Sequence, residues 1–160
     1  MQTSPAGQSF IKSQESPAGP LLTVQGDTGG KQEIGWGHDL LPGESYPDGI
    51  TVEQAEVLFA FDVAKVDAAM NAQHLALDLN ENQWTAIADF TFECGGGALI
   101  QLLAHGIDQI CAQLPRWVRA RVNGVEVELT GMVARRAAEV ALFNSPPPET
   151  PSLSNLLEMC

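Results

Sequence analysis

Cations are scarce in this 160-residue chain: eight Lys and Arg stand against twenty Asp and Glu, a formal net charge of -12. Proteins that bind nucleic acid displace phosphate counterions with cationic surface. A chain this acidic is a poor fit to that class, and equally to a polybasic membrane-surface binder. Cysteine is scarce too. Cys94, Cys111 and Cys160 form an odd set at wide spacing, which supplies neither a disulfide framework nor a CxxC metal signature. They read as two buried thiols and one free tail thiol, in keeping with a reducing cytoplasm. The three histidines lie far apart, so no dedicated metal site and no metal or organic cofactor is expected. No stretch approaches the roughly 18 uninterrupted apolar residues of a membrane-spanning helix. The first residues, MQTSPAGQSFIKSQE, lack the charged-then-apolar order of a secretory peptide.

What is present suits one domain with a real core, since 44% of the residues are hydrophobic. The domain is expected over residues 1–144, followed by a tail over 145–160. Ser145–Ser154, SPPPETPSLS, holds four of the ten prolines, and proline both fixes φ and removes a backbone donor. Ser4 and Pro5 open a helix expected to run to about Glu15. Residues 16–50 hold eight of the fifteen glycines and read as a small β lobe of turns and short strands. Thr51-x-x-Gln54 is a capping-box pattern. Behind it Val52, Ala55, Leu58, Phe59, Val63, Val66 and Met70 recur at helical spacing. Asn80 and Gln83 cap a second long helix, expected to end at Gly95-Gly96-Gly97. Short helices are expected over Ala98–His105 and Ile107–Leu114, the latter stopped by Pro115. Asn123-Gly124 is a turn signal, and Met132–Phe143 is a last helix. The total is about seven helices beside one small β lobe, an α+β chain.

The β lobe concentrates side chains with chemical uses. Glu15 stands where the first helix enters it, Asp27 lies in a Gly-Asp-Thr-Gly turn, and Glu33 opens Glu-Ile-Gly-Trp-Gly-His. Two carboxyl groups facing one cleft can cut a glycosidic bond, one protonated and donating, the other ionised. Spacing alone does not separate this from chance, because an acidic chain scatters carboxylates everywhere.

The order of motifs does. Glu15…Asp27-x5-Glu33-Ile34-Gly35-Trp36-Gly37-His38 resembles the catalytic hairpin of the phage-type lysozymes, glycoside hydrolase family 24, which reads Glu…Asp…Thr-Ile-Gly-x-Gly-His. Gly49-Ile50-Thr51-x-x-Gln54-Ala55-x-x-Leu58-Phe59-x-x-Asp62-Val63 is similar to the family's next segment, as is Asn82-Gln83-x-x-Ala86-Ile87-x-x-Phe90-x-Phe92. Arg116-Trp117-Val118 and Gly131-Met132-x-x-Arg135-Arg136-x-x-Glu139-x-x-Leu142-Phe143 match its C-terminal helices. The resemblance covers about Phe10 to Phe143. It implies a lysozyme-like fold and hydrolysis of the β-1,4 bond between N-acetylmuramic acid and N-acetylglucosamine in bacterial peptidoglycan. It further implies a monomer that is held in the host cytoplasm until it is released to the wall.

The same resemblance assigns roles. Glu15 becomes the general acid, with Arg135 beside it. Asp27 becomes the base that orients water, or an electrostatic stabiliser. Glu33 occupies the family's Thr position, where it can activate water, attack the sugar, or point outward as a structural residue. A carboxyl separation of about 5–5.5 Å favours retention and about 6.5–9.5 Å inversion. Phe92 and Gln101 are candidate sugar contacts, and His38 and Asp62 are expected to form a buried ion pair bracing the lobe. Trp36 can stack on a sugar, whereas Trp84 and Trp117 read as core; Arg136 reads as solvated. The departures are the inserted Ser16-Pro17-Ala18-Gly19-Pro20, Glu33 for Thr, Glu93-Cys94 after Phe92 where the family has Asn, and the acidic surface. They leave two further readings open: a lytic transglycosylase on the same fold, and a lysozyme-like protein that binds or builds without cutting.

Overall fold

The computed structural model describes residues 1–26, 31–75, 79–122 and 124–147. Helix α1, Pro5–Glu15, begins where Ser4 Oγ accepts a hydrogen bond from the Gly7 amide at 3.2 Å, with Pro5 in the first turn. Its inner face is Gly7 and Ile11. A Cβ on Gly7 would lie 2.6 Å from Thr85 Oγ1, so the missing side chain is what lets α1 close on a later helix.

The β lobe is an antiparallel sheet in the order β1 (Leu21–Gly26), β2 (Gln32–Gly35), β3 (His38–Asp39). Gln25 pairs with Glu33, Glu33 with Asp39, and Ile34 with His38, with a shift in register between Leu21 and Gln25. Side chains alternate across a strand. Glu33 is therefore half-buried on one face while Ile34 is sealed on the other against Ile50 and Ala55.

Helix α2, Val52–Ala72, starts in a complete capping box between Thr51 and Gln54. Ala55, Phe59, Val63, Val66 and Met70 form its inner face, as the spacing predicts. Helix α3, Glu81–Leu103, has a second capping box between Asn80 and Gln83. At Gly95 its backbone leaves the helical region, with φ 81° and ψ 167°, a conformation that costs glycine least. The helices expected on either side of the glycines are therefore joined into one kinked element. Helix α4, Ile110–Gln113, lies between 3₁₀ turns Ile107–Gln109 and Leu114–Arg116. Pro115 sits inside the second turn and does not follow it. Strands β4 (Arg119–Val122) and β5 (Val125–Glu128) form a second hairpin, and α5 runs from Thr130 to Phe143, starting two residues before the expected Met132.

The main core gathers α1, α2, α3 and α5 around Trp84, Phe59, Phe90, Ile87 and Leu102. Trp84 is fully buried and donates to Thr3 Oγ1 and Asp67 Oδ1 at 3.2 and 3.1 Å. Trp117 packs edge-on to Phe90 with ring centroids 5.2 Å apart. Trp36 bridges the two cores and donates to Glu56 at 3.0 Å. Two expectations fail here. Cys94 and Cys111 are half-buried, since each lies at the edge of the main core. Arg136 is buried, with Phe90 under its guanidinium at 5.0 Å and Glu139 Oε1 at 2.7 Å. A charged side chain finds its partners inside the fold there. Asn82 donates to Ser145 Oγ at 3.0 Å and Pro146 O at 2.6 Å, tying the start of the expected tail to α3. Cys160 and residues 148–160 lie outside the described residues.

Candidate active site

Glu15 ends α1, and its backbone position at a helix C-terminus disfavours a negative charge. Its carboxyl is 13% exposed and meets Arg135 of α5, with Oε1 2.6 Å from Nη2. Asp89 of α3, fully buried, takes the same guanidinium side-on, at 3.0 Å from Nε and 2.8 Å from Nη2. Glu93, one turn along α3, accepts from Nη1. Three carboxylates thus surround one cation. Behind them Glu139 is fully buried beside Arg136 and lies 4.0 Å from Arg135 Nε.

Burial is the main influence on Glu15 and raises its pKa to about 7. Arg135 pulls it down, and Glu93 and Asp89 push it up. Burial and the Asp89 carboxylate push Glu139 to about 10, so it stays protonated at neutral pH.

The β2–β3 turn lies directly over Glu15. Gly37 has φ 82°, and a Cβ there would lie 2.8 Å from Glu15 Oε2. Glycine is required twice at this position, for the dihedral and for the space. Glu15 opens onto a pocket of about 130 Å³ lined by Glu33, Gly37, Asp39, Phe92 and Glu93, with Lys31 at its rim bonded to Asp39 at 2.8 Å. A second cleft of about 280 Å³ shares Gly37, Asp39 and Phe92 and runs toward α2 and the Gly95 kink.

The fold brings Glu15, Glu33, Phe92 and Arg135 to one place. Asp27 lies outside the described residues. Gln101 is exposed on the far side of the α3 kink and lines neither pocket. His38 stands apart from the carboxyl pocket. Its Nδ1 lies 2.6 Å from Asp62 Oδ2 and its Nε2 3.0 Å from Glu44 Oε2. Its pKa is raised, because these two carboxylates outweigh the opposing effect of its burial. Asp89 and Glu44 escaped sequence reasoning, and Glu93 and Glu139 entered it as motif positions without a role. Asp89 had a signal: it is the one charged residue in Trp84–Thr91, WTAIADFT, a run apolar enough to be buried, where an unpaired charge is not tolerated. Glu139 follows Arg135 and Arg136 by one helical turn, a spacing that pairs side chains.

The family model for phage lysozyme matches residues 18–139. The chain belongs to the phage lysozyme family. The endolysin of Acyrthosiphon pisum secondary endosymbiont phage 1 is 35% identical over 122 residues, covering 72% of this chain and 82% of that protein. The endolysin of Bacillus phage PZA is 35% identical over 162 aligned positions, 95% of this chain but only 58% of that protein. Among solved structures, the muramidase domain of SpmX from Asticaccaulis excentricus superposes with a TM-score of 0.73 at 28% identity, covering 91% of this chain and 99% of that one. The endolysin from Escherichia coli O157:H7 phage FAHEc1 gives 0.75 at 27% identity, with 93% and 98% covered. Of the hairpin carboxyl groups singled out in the sequence, the described residues place Glu15 and Glu33 on one pocket.

Proposed function

We propose that this phage lysozyme family member is a muramidase that cleaves the β-1,4 bond between N-acetylmuramic acid and N-acetylglucosamine. Glycoside hydrolysis is the chemistry of the family to which it belongs. The observation that carries the reading is Glu15. Its carboxyl is buried against Arg135, is raised to a pKa of about 7, and opens onto a pocket that Glu33 also lines. A general acid needs that combination, a proton retained at working pH beside an ionisable partner.

In this reading the glycosidic oxygen takes the Glu15 proton as its bond to C1 breaks. Water adds to C1 and passes its proton to Glu33, or Glu33 attacks C1 and water later releases the sugar. Asp27 is assigned to orienting water or stabilising charge. Arg135 positions Glu15 and does not meet the substrate, while Phe92 contributes an apolar wall. His38 and Asp62 brace the lobe. The substrate lies in the bacterial wall, and the protein acts there after release from the host cell.

The test is digestion of purified peptidoglycan by the folded protein, with the products read by mass spectrometry. Fragments that have gained one water are expected, and Glu15→Gln should yield none. Anhydro-sugar ends would replace hydrolysis by transglycosylation. A fully active Glu15→Gln would remove the general acid. A folded protein that releases nothing at low or high salt would support a binding role.

A further inference from the structure

Arg135 has one positive charge to share among Glu15, Asp89 and Glu93, and the three do not share it equally. Asp89 holds Nε and Nη2 together, a bidentate grip that favours it. Glu93 holds Nη1 by itself. Glu15 is left with Nη2, which it divides with Asp89.

A charge count over the whole cluster gives the consequence. Two guanidinium groups, Arg135 and Arg136, face four carboxyl groups, Glu15, Asp89, Glu93 and Glu139. With Glu139 neutral, the Asp89 and Glu93 carboxylates balance the two cations. An ionised Glu15 then adds a net negative charge at a carboxyl only 13% exposed, which is costly. Other charged groups do not reverse this. Lys12, on Glu15's own helix, is paired with Glu56 and stacked on Trp36 and Phe59. From the β lobe, Glu33 and Asp39 add negative charge to the pocket, and Lys31 is bonded to Asp39.

We propose that Glu93 is a positioning residue for the reaction: by holding Arg135 Nη1 it competes with Glu15, bonded to Nη2 of the same guanidinium, for its positive charge and sets the upper pH to which Glu15 keeps the proton it must donate. Glu93 stands where the family resemblance expects Asn, so this control belongs to this chain and not to the motif. It rests on reading Glu15 as the general acid.

The experiment measures initial rates on peptidoglycan at limiting substrate from pH 4 to 9 for wild type, Glu93→Gln and Glu93→Asp. Glu15 is followed in parallel by carboxyl ¹³C NMR. Removing the competing carboxylate frees Arg135 for Glu15, so in Glu93→Gln the alkaline limb and the Glu15 midpoint should both move acidward by about one pH unit. Glu93→Asp should bring both back toward the wild-type position. A merely structural Glu93 would lower rates at all pH values and leave the limb in place. That result, with an unmoved Glu15 midpoint, overturns the proposal. Glu93 is 32% exposed, so an amide there is compatible with folding; should Glu93→Gln fail to fold, Glu93→Asn is read the same way. The two ideas fail separately. An active Glu15→Gln removes the general acid while the NMR titration still judges Glu93. An inactive Glu15→Gln with an unmoved limb sinks only Glu93.

Discussion

Arg135 Nη2 and Glu15 Oε1 lie 2.6 Å apart although 120 residues separate them in the chain. The pair closes the last helix onto the first, over the C-terminal end of α1. The arginine pulls the Glu15 pKa down, but desolvation outweighs it and leaves the carboxyl raised to about 7.

Replacing the arginine should therefore damage both stability and activity. Arg135→Met leaves the Asp89, Glu93 and Glu15 carboxyls facing one another without a cation. Breaking a buried pair in this way costs about 3–5 kcal/mol. Urea unfolding at pH 7 should show a loss in that range, and Glu15 should titrate above its wild-type midpoint.

Gly37→Ala tests placement of the acid. The added methyl would meet Glu15 Oε2 at 2.8 Å, on a backbone held at φ 82°. The strain should cost about 1–2 kcal/mol of stability. Displacing a catalytic group by a fraction of an ångström to 1 Å can cost about 100-fold in rate. Turbidity loss of permeabilised cells should fall by that order while the thermal transition stays cooperative.

Glu33→Gln removes one carboxylate from the pocket but keeps its size. Bacteriolytic activity should be abolished with little change in melting temperature, because Glu33 is only half-buried. A full wild-type rate in this variant would mean that water is activated elsewhere.

Glu139→Gln should stabilise the protein at neutral and alkaline pH. The folded state holds the Glu139 proton up to about pH 10, whereas the unfolded chain releases it near the ordinary glutamate value of 4.5. Between those values the folded state binds the extra proton, so stability falls as pH rises, by up to about 1.4 kcal/mol per pH unit. Glutamine is neutral in both states and removes that slope. Urea midpoints measured from pH 5 to 9 should fall less steeply in the variant.

The His38 contacts predict a pH dependence of the same sign. Its folded pKa is raised above the ordinary 6.5. The stabilisation is therefore complete below pH 6.5 and is lost as pH climbs through the higher folded value. In Asp62→Asn this part of the profile should flatten. An NMR titration placing wild-type His38 at the pKa of a free imidazole would contradict the role given to Asp62 and Glu44.

The sequence by itself determined where α1, α2 and α3 begin, and the family. Ser4, Thr51 and Asn80 cap the helices they were expected to cap, because a cap is a contact between residues three or fewer positions apart. The hairpin motif around Gly35-Trp36-Gly37-His38 was legible for the same reason: tight turns impose local dihedral demands. The joined α3 is a milder case, where the glycine stop was visible but not the continuation beyond it.

Only the tertiary structure decided which carboxyls gather around Arg135. Asp89 and Glu93 meet it across separations of 46 and 42 residues, and no local pattern announces such a meeting. Burial of Arg136 and Glu139 was hidden likewise, since an Arg-Arg-x-x-Glu run on a helix looks the same facing water or facing inward. What turns those residues into a proton-holding site is desolvation by neighbours from three helices, a property of the packed assembly and of no single segment.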